Sequence, residues 1–167
     1  MKLSVFEERK VVINGLTLHY LEWEPSKRPT LLLLHGYLSR AQIWTGFASE
    51  LSRNFRILAL NQRGHGNSDW SPDGAYSIDD HFTDLARFID LLDLNELILM
   101  GHSMGATIAV PVLAIEPRYQ AAILSGAGGS YIENIVHKQS PVEVRPLAEL
   151  TYQFGADETG SARDHDM

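Results

Sequence analysis

A serine stands between two glycines at Gly101-His102-Ser103-Met104-Gly105. Leu97-Ile98-Leu99-Met100 before it reads as a short buried strand, and Ala106-Thr107-Ile108-Ala109-Val110 after it continues as a helix. A serine on such a turn stands proud of the sheet, and glycines on either side remove side chains that would clash with the sharp backbone. The new helix N-terminus sets unpaired N–H groups and a positive dipole end beside the hydroxyl. That combination suits acyl transfer, in which a nucleophile attacks a carbonyl and nearby donors hold the developing oxyanion. A G-x-S-x-G arises by chance in roughly one chain of this length in twenty, so the motif alone leaves open a plain helix N-cap at Ser103.

Two upstream segments narrow the choice. Thr30-Leu31-Leu32-Leu33-Leu34 reads as a buried strand that ends in the glycine turn His35-Gly36-Tyr37, with a helix expected from about Gln42 to Leu51. Arg56-Ile57-Leu58-Ala59-Leu60 is a further strand running into the polar, glycine-spaced loop Asn61-Gln62-Arg63-Gly64-His65-Gly66-Asn67-Ser68-Asp69. In this order and spacing the three segments resemble the α/β-hydrolase superfamily, particularly its small esterases, lipases and related cap-bearing hydrolases, over residues from about 9 to 125.

The resemblance implies a role for each matching position. Ser103 is the nucleophile, and the backbone N–H groups of Tyr37 and Met104 form the oxyanion hole. Gly36, Trp44, His102 and Met104 line the pocket, with ordinary packing around the turn as the alternative for the last three. A serine disfavours the dehalogenase and epoxide-hydrolase branches, which use aspartate there. His35 supports the oxyanion loop rather than acting as the base, and His65 braces the loop after the strand at 56–60. Asn61 departs from the aspartate that the family often has at that position. His19 and His81 read as surface or strand positions.

The elements that must position these residues follow from pattern. Lys10-Val11-Val12-Ile13, Asn14-Gly15 and Leu16 to Trp23 read as a hairpin, since Asn-Gly favours a type I′ turn. Strands then alternate with helices, which implies parallel pairing through βαβ crossovers. Ile78, Phe82, Leu85, Ile89 and Leu92 recur at helical spacing, with Ser77 as N-cap and Asp79 and Asp80 in the first turn. Gln120 to Ser125 is another buried strand. Pro111 interrupts the helix after Ser103, at a cost of roughly 3 kcal/mol in a regular helix, so that helix is expected to be kinked or short.

The expected fold is therefore α/β: an α/β-hydrolase-like, mostly parallel sheet with flanking helices, preceded by an antiparallel hairpin and breaking off after the strand at 121–125. Residues 1–128 form the N-terminal part of the core, 129–154 the start of a cap-like helical region, and 155–167 a disordered tail.

Composition bounds the rest. The chain has 167 residues, 44% of them hydrophobic, enough for one domain with a real core. It has no cysteine, which removes disulfides and thiolate metal sites, and no His/Asp/Glu run has metal-ligand spacing. The expectation is no metal and no cofactor. The charged N-terminal stretch is unlike a signal peptide, no apolar run approaches membrane-spanning length, and the formal net charge is −7. These features point to a cytoplasmic protein whose partner is a small-molecule ester rather than nucleic acid or a membrane.

One part of the catalytic apparatus is not identifiable. In the family the acid and the histidine follow the nucleophile in the chain, beyond later strands. About forty residues follow Ser125, and none reads as a buried strand. Asp157 with His165, and Glu133 with His137, are the weak local candidates. The expectation is a carboxylesterase-type serine hydrolase acting through a Ser103 acyl-enzyme, weak or inactive as this isolated chain, which reads as part of a longer or nicked hydrolase. It should self-associate or bind a complementary C-terminal segment along its open sheet edge. The alternative from another class is a non-catalytic hydrolase-like protein holding a small ligand over Ser103. Gly126-Ala127-Gly128-Gly129 after a strand suggests a nucleotide module, but the fingerprint needs glycine at 131, where Tyr131 stands.

Overall fold

The computed structural model describes residues 5–25 and 29–126. Glu133, His137, Asp157, His165, the 129–154 and 155–167 segments and the glycines at 128 and 129 lie outside the described residues.

The hairpin forms as its turn chemistry requires. β1 (Glu7–Ile13) and β2 (Leu16–Trp23) pair antiparallel, with Ile13 opposite Leu16. Asn14 and Gly15 both take positive φ, 50° and 80°, the combination that defines a type I′ turn. β3 (Thr30–Leu34) and β4 (Arg56–Leu60) follow, joined by a 3₁₀ turn (Ala41–Trp44) and α1 (Thr45–Leu51). The helix expected from about Gln42 thus begins as a tighter turn. There the Thr45 hydroxyl donates to the Gln42 carbonyl at 2.8 Å, satisfying an acceptor of that turn.

α2 (Ile78–Leu91) starts at a capping box: Ser77 Oγ accepts the Asp80 N–H, and Asp80 Oδ2 accepts the Ser77 N–H. β5 (Leu97–His102), α3 (Met104–Leu113) and β6 (Tyr119–Ser125) complete the described chain. Pro111 lies inside α3, which ends two residues later. The ring removes the N–H that the Thr107 carbonyl would have accepted, and the helix is short, at ten residues.

The six strands form one sheet in the order β1-β2-β4-β3-β5-β6. β2 meets β4 antiparallel, whereas β4, β3, β5 and β6 run parallel, so the sheet is mostly parallel with an antiparallel hairpin at one side. Strand side chains alternate between faces. Leu32, Leu34, Leu58 and Leu60 face α2 and α3, packing on Leu85, Phe88, Ile89 and Ile108. Leu31, Leu33, Ile57 and Ala59 face the α1 side with Trp23, Trp44 and Ala48. Burial on both faces is why β3 and β4 read as unbroken apolar runs. Each fully buried leucine contributes roughly 1.5–3 kcal/mol to holding these layers together. No helix among the described residues is long and apolar enough to cross a membrane.

Of the two histidines expected at surface or strand positions, His19 meets the expectation and His81 corrects it. His19 lies on strand β2, where it is 1% exposed. His81 is neither on the surface nor on a strand: it sits on the inner face of α2, one turn before Leu85. Its place was readable in the helical spacing, three residues after Ile78 and four before Leu85 on the apolar stripe, but its polar residue type suggested otherwise.

Candidate active site

The parallel strands deliver three loops to one end of the sheet, and Ser103 sits among them. It follows β5 directly and is the N-cap of α3, with φ 52° and ψ −118°. Such a backbone is strained for any residue with a β-carbon. Its side chain makes no capping bond to the helix, so the plain N-cap role does not explain it. The Ser103 N–H donates instead to the Ser125 carbonyl at 2.7 Å, which ties the turn to the end of β6. The flanking glycines are required by close approach. A β-carbon at Gly105 would lie 2.5 Å from the Leu34 carbonyl oxygen, and one at Gly101 would lie 2.6 Å from the Ala106 nitrogen.

The loop after β3 closes over the same point. A β-carbon at Gly36 would meet the Ser103 β-carbon at 3.2 Å and the His102 ring at 3.3 Å. Gly36, His102 and Ser103 are therefore neighbours in space. Met104 opens α3, so its N–H is one of the helix's orphan donors. Tyr37 follows Gly36 with its side chain mostly exposed, its ring edge-on to His65 at 6.2 Å. Trp44 is buried in the apolar layer on the α1 side, tilted against Phe47 at 5.9 Å.

His35 is wholly buried and both its ring nitrogens are committed. Nδ1–H donates to the Gly36 carbonyl at 2.8 Å, and Nε2 accepts the Gln62 N–H at 3.2 Å. Burial holds the imidazole down to about 4, against an ordinary 6.5. A neutral ring with no free nitrogen supports a loop and does not take a proton from serine. The Gln62 side chain adds a bond to the His35 carbonyl at 2.8 Å. His65 donates from Nδ1 to the Arg63 carbonyl at 2.9 Å, within its own loop, and its ring packs against His35 at 5.0 Å.

Arg63 anchors this loop to α2. Its Nε and Nη2 donate to the two carboxylate oxygens of Asp84 at 2.6 and 2.7 Å, a bidentate pair with both side chains buried. Bonding to Asp84 raises the guanidinium further above its ordinary value. Asn14 also donates to Asp84, linking the hairpin turn to the same point.

Gly126, first of the glycine run after β6, takes φ 72° and lies against Ser103. Gln62, Asp84 and Ser125 were not singled out from sequence. Polar residues at strand ends and on helix faces are common, and only tertiary contact distinguishes these. Among the described residues no histidine nitrogen hydrogen-bonds the Ser103 hydroxyl, and no group of three His, Cys, Asp or Glu side chains is placed to hold a metal ion.

A strained serine at a strand-to-helix turn, packed under a glycine loop, on a sheet of this strand order, can be compared with known proteins. A family model described as the alpha/beta hydrolase fold matches residues 29–142. The chain belongs to the α/β-hydrolase family. It is 34% identical over 128 residues to 2-(acetamidomethylene)succinate hydrolase of Mesorhizobium japonicum, covering 77% of this chain and 45% of that protein. It is 36% identical over 104 residues to N-formylmaleamate deformylase of Pseudomonas putida, covering 62% of this chain and 38% of that one. A crystal structure of an α/β hydrolase from Novosphingobium aromaticivorans superposes with TM-score 0.69 at 28% identity, covering 74% of this chain and 45% of that one. This member of the α/β-hydrolase family thus spans under half the length of the curated relatives it matches here.

Proposed function

We propose that the chain is the nucleophile-bearing part of a serine hydrolase of the carboxylesterase type, acting on a small ester through a Ser103 acyl-enzyme. The observation that carries this is the Ser103 backbone, held at φ 52° with its hydroxyl unused by the helix it caps. Strain of this kind costs of order 1–3 kcal/mol and persists where it aims a side chain. The Ser103 oxygen attacks the ester carbonyl and forms the new C–O bond, while its proton passes to a general base. The carbonyl oxygen becomes an oxyanion facing the N–H groups of Tyr37 and Met104. Collapse expels the alcohol, which takes up the proton, and water then releases the acid by the same two steps.

The hydrolase names of the relatives support hydrolysis; ester specificity is the finer part of the proposal. A net charge of −7 supports a small-molecule partner over nucleic acid or an anionic membrane. The family's chain order puts the acid and the histidine after the nucleophile, and the sequence identifies no clear pair there, so we expect weak turnover by this chain. Deleting triad groups leaves roughly 10³–10⁴ over water, from oxyanion donors and binding.

The second reading is a non-catalytic hydrolase-like protein holding a small ligand over Ser103. A fluorophosphonate probe separates the two. Covalent labelling that disappears in Ser103→Ala supports the hydrolase. An inert serine in a folded chain that binds small esters without cleaving them supports the binding protein.

A further inference from the structure

Two consecutive residues at the end of β4 hold opposite ends of the 36–40 loop. Gln62 grips the front through His35. Asn61 grips the rear, its Oδ1 accepting the Ala41 N–H at 2.7 Å. The other end of the Asn61 amide lies 2.8 Å from Nδ1 of His19, and Nε2 of His19 lies 3.1 Å from Glu8 Oε2. Ala41, Asn61 and His19 are all buried, while Glu8 is at the surface.

The hydrogen-bond roles in this chain are forced. A backbone N–H only donates, so the amide oxygen must face Ala41 and the NH₂ must face His19. Nδ1 of His19 must then accept, which leaves the ring proton on Nε2, where the Glu8 carboxylate receives it. The amide has no room to turn away. Gly66 lies against it so closely that a β-carbon there would sit 2.4 Å from Oδ1. The backbone fastens the same point: Asn61 N–H donates to the His19 carbonyl, and Ser68 Oγ bridges the Asn61 carbonyl and the His19 N–H.

We infer that Asn61 is a positioning residue that locks His19 in the Nε2–H tautomer and fixes, through the Ala41 N–H, the rear of the loop carrying the Tyr37 donor. The part concerning Tyr37 rests on the hydrolase proposal above; the tautomer does not. An aspartate of the same shape could still accept from Ala41, but it has no proton to give Nδ1. With a carboxylate in place of the amide NH₂, Nδ1 would have to donate rather than accept.

Long-range ¹H–¹⁵N NMR on the full chain near neutral pH reads this directly. His19 is expected with its proton on Nε2 and Nδ1 bare, and with Nδ1 carrying a proton in Asn61→Asp. An Nδ1–H tautomer in the unmodified chain, or an unchanged ring in Asn61→Asp, overturns the lock. Asn61→Leu removes both bonds: exchange of the Ala41 amide should quicken and fluorophosphonate labelling of Ser103 should slow about tenfold, as expected when a positioned donor is loosened. Unchanged Ala41 exchange in a folded Asn61→Leu chain overturns the positioning role. If the unmodified chain does not label at all, the hydrolase proposal fails while the tautomer result still stands or falls on its own.

Discussion

Gly36 and Ser103, 67 positions apart in the chain, touch: a methyl group at 36 would sit 3.2 Å from the serine's β-carbon. That spacing is tight but not impossible, so Gly36→Ala should fold, at a stability cost of about 1 kcal/mol. The shift needed to seat the methyl moves the loop against the serine. Labelling of Ser103 should fall at least tenfold while the thermal midpoint changes by only a few degrees. Equal losses in folding and labelling would mean that Gly36 matters to the fold alone.

Ser103 holds a strained backbone, so releasing the strain should stabilise the fold and, on the proposed reading, end the chemistry. Ser103→Gly is expected to raise stability by about 1 kcal/mol, since glycine adopts this backbone freely. Ser103→Ala keeps the β-carbon and should stay within about 0.5 kcal/mol of the unmodified chain. Urea unfolding of the three proteins checks this order. A glycine variant less stable than the serine protein would refute the strain argument.

The Arg63–Asp84 pair ties the loop after β4 to α2 with both ions buried. Removing Asp84 takes the bidentate partner from Arg63 and leaves it the Ala75 carbonyl at 2.8 Å and Asp80 at 3.7 Å, so the cost is at most the roughly 3–5 kcal/mol of a fully broken buried pair. Asp84→Ala also leaves the Asn14 amide without this acceptor. It should therefore unfold at a much lower urea concentration, whereas Asp73→Ala, in the open loop before α2, should change little. Near-equal midpoints for the two variants would show the pair to be unimportant.

Burial holds both His35 and His81 down to about 4, from an ordinary 6.5. Between those values the unfolded chain takes up protons that the folded chain refuses. Stability is thus complete above pH 6.5, falls as pH drops toward 4, and levels off below that as far as these two rings are concerned. Each contributes a slope of up to about 1.4 kcal/mol per pH unit in that window. Replacing His35 with glutamine should flatten the urea-midpoint profile between pH 6.5 and 4. A profile already flat there in the unmodified chain would count against neutral buried rings.

Among the described residues β6 pairs with β5 alone. Its Ala121-Ala122-Ile123-Leu124 run carries no charge or proline to discourage pairing with another strand. We therefore propose self-association, or capture of a complementary C-terminal segment, along this edge. Sedimentation over a concentration series should show mass rising with concentration. A monomer at all concentrations with fast amide exchange at 121–125 would sink the edge argument, and one with slow exchange would mean that the chain covers its own edge.

Local pattern was enough for the hairpin turn at Asn14-Gly15, for the strands at 30–34 and 56–60, and for α2 with its Ser77 cap. In each, neighbouring residues carry the whole signal: a turn type, an apolar run, a 3.6-residue stripe. Ser103 was legible for the same reason, because its two glycines lie within two positions of it. The supports of the site were not. Asn61, Gln62, His19 and Ser125 act on partners that are distant in sequence, and a hydrogen bond between remote residues leaves no periodicity to read. Burial, likewise, put His81 on the inner face of α2, where a surface or strand position was expected, and left His35, expected as a loop support, neutral with both nitrogens spent. Residue type decides what chemistry is available; only packing decides which atoms are left free to perform it.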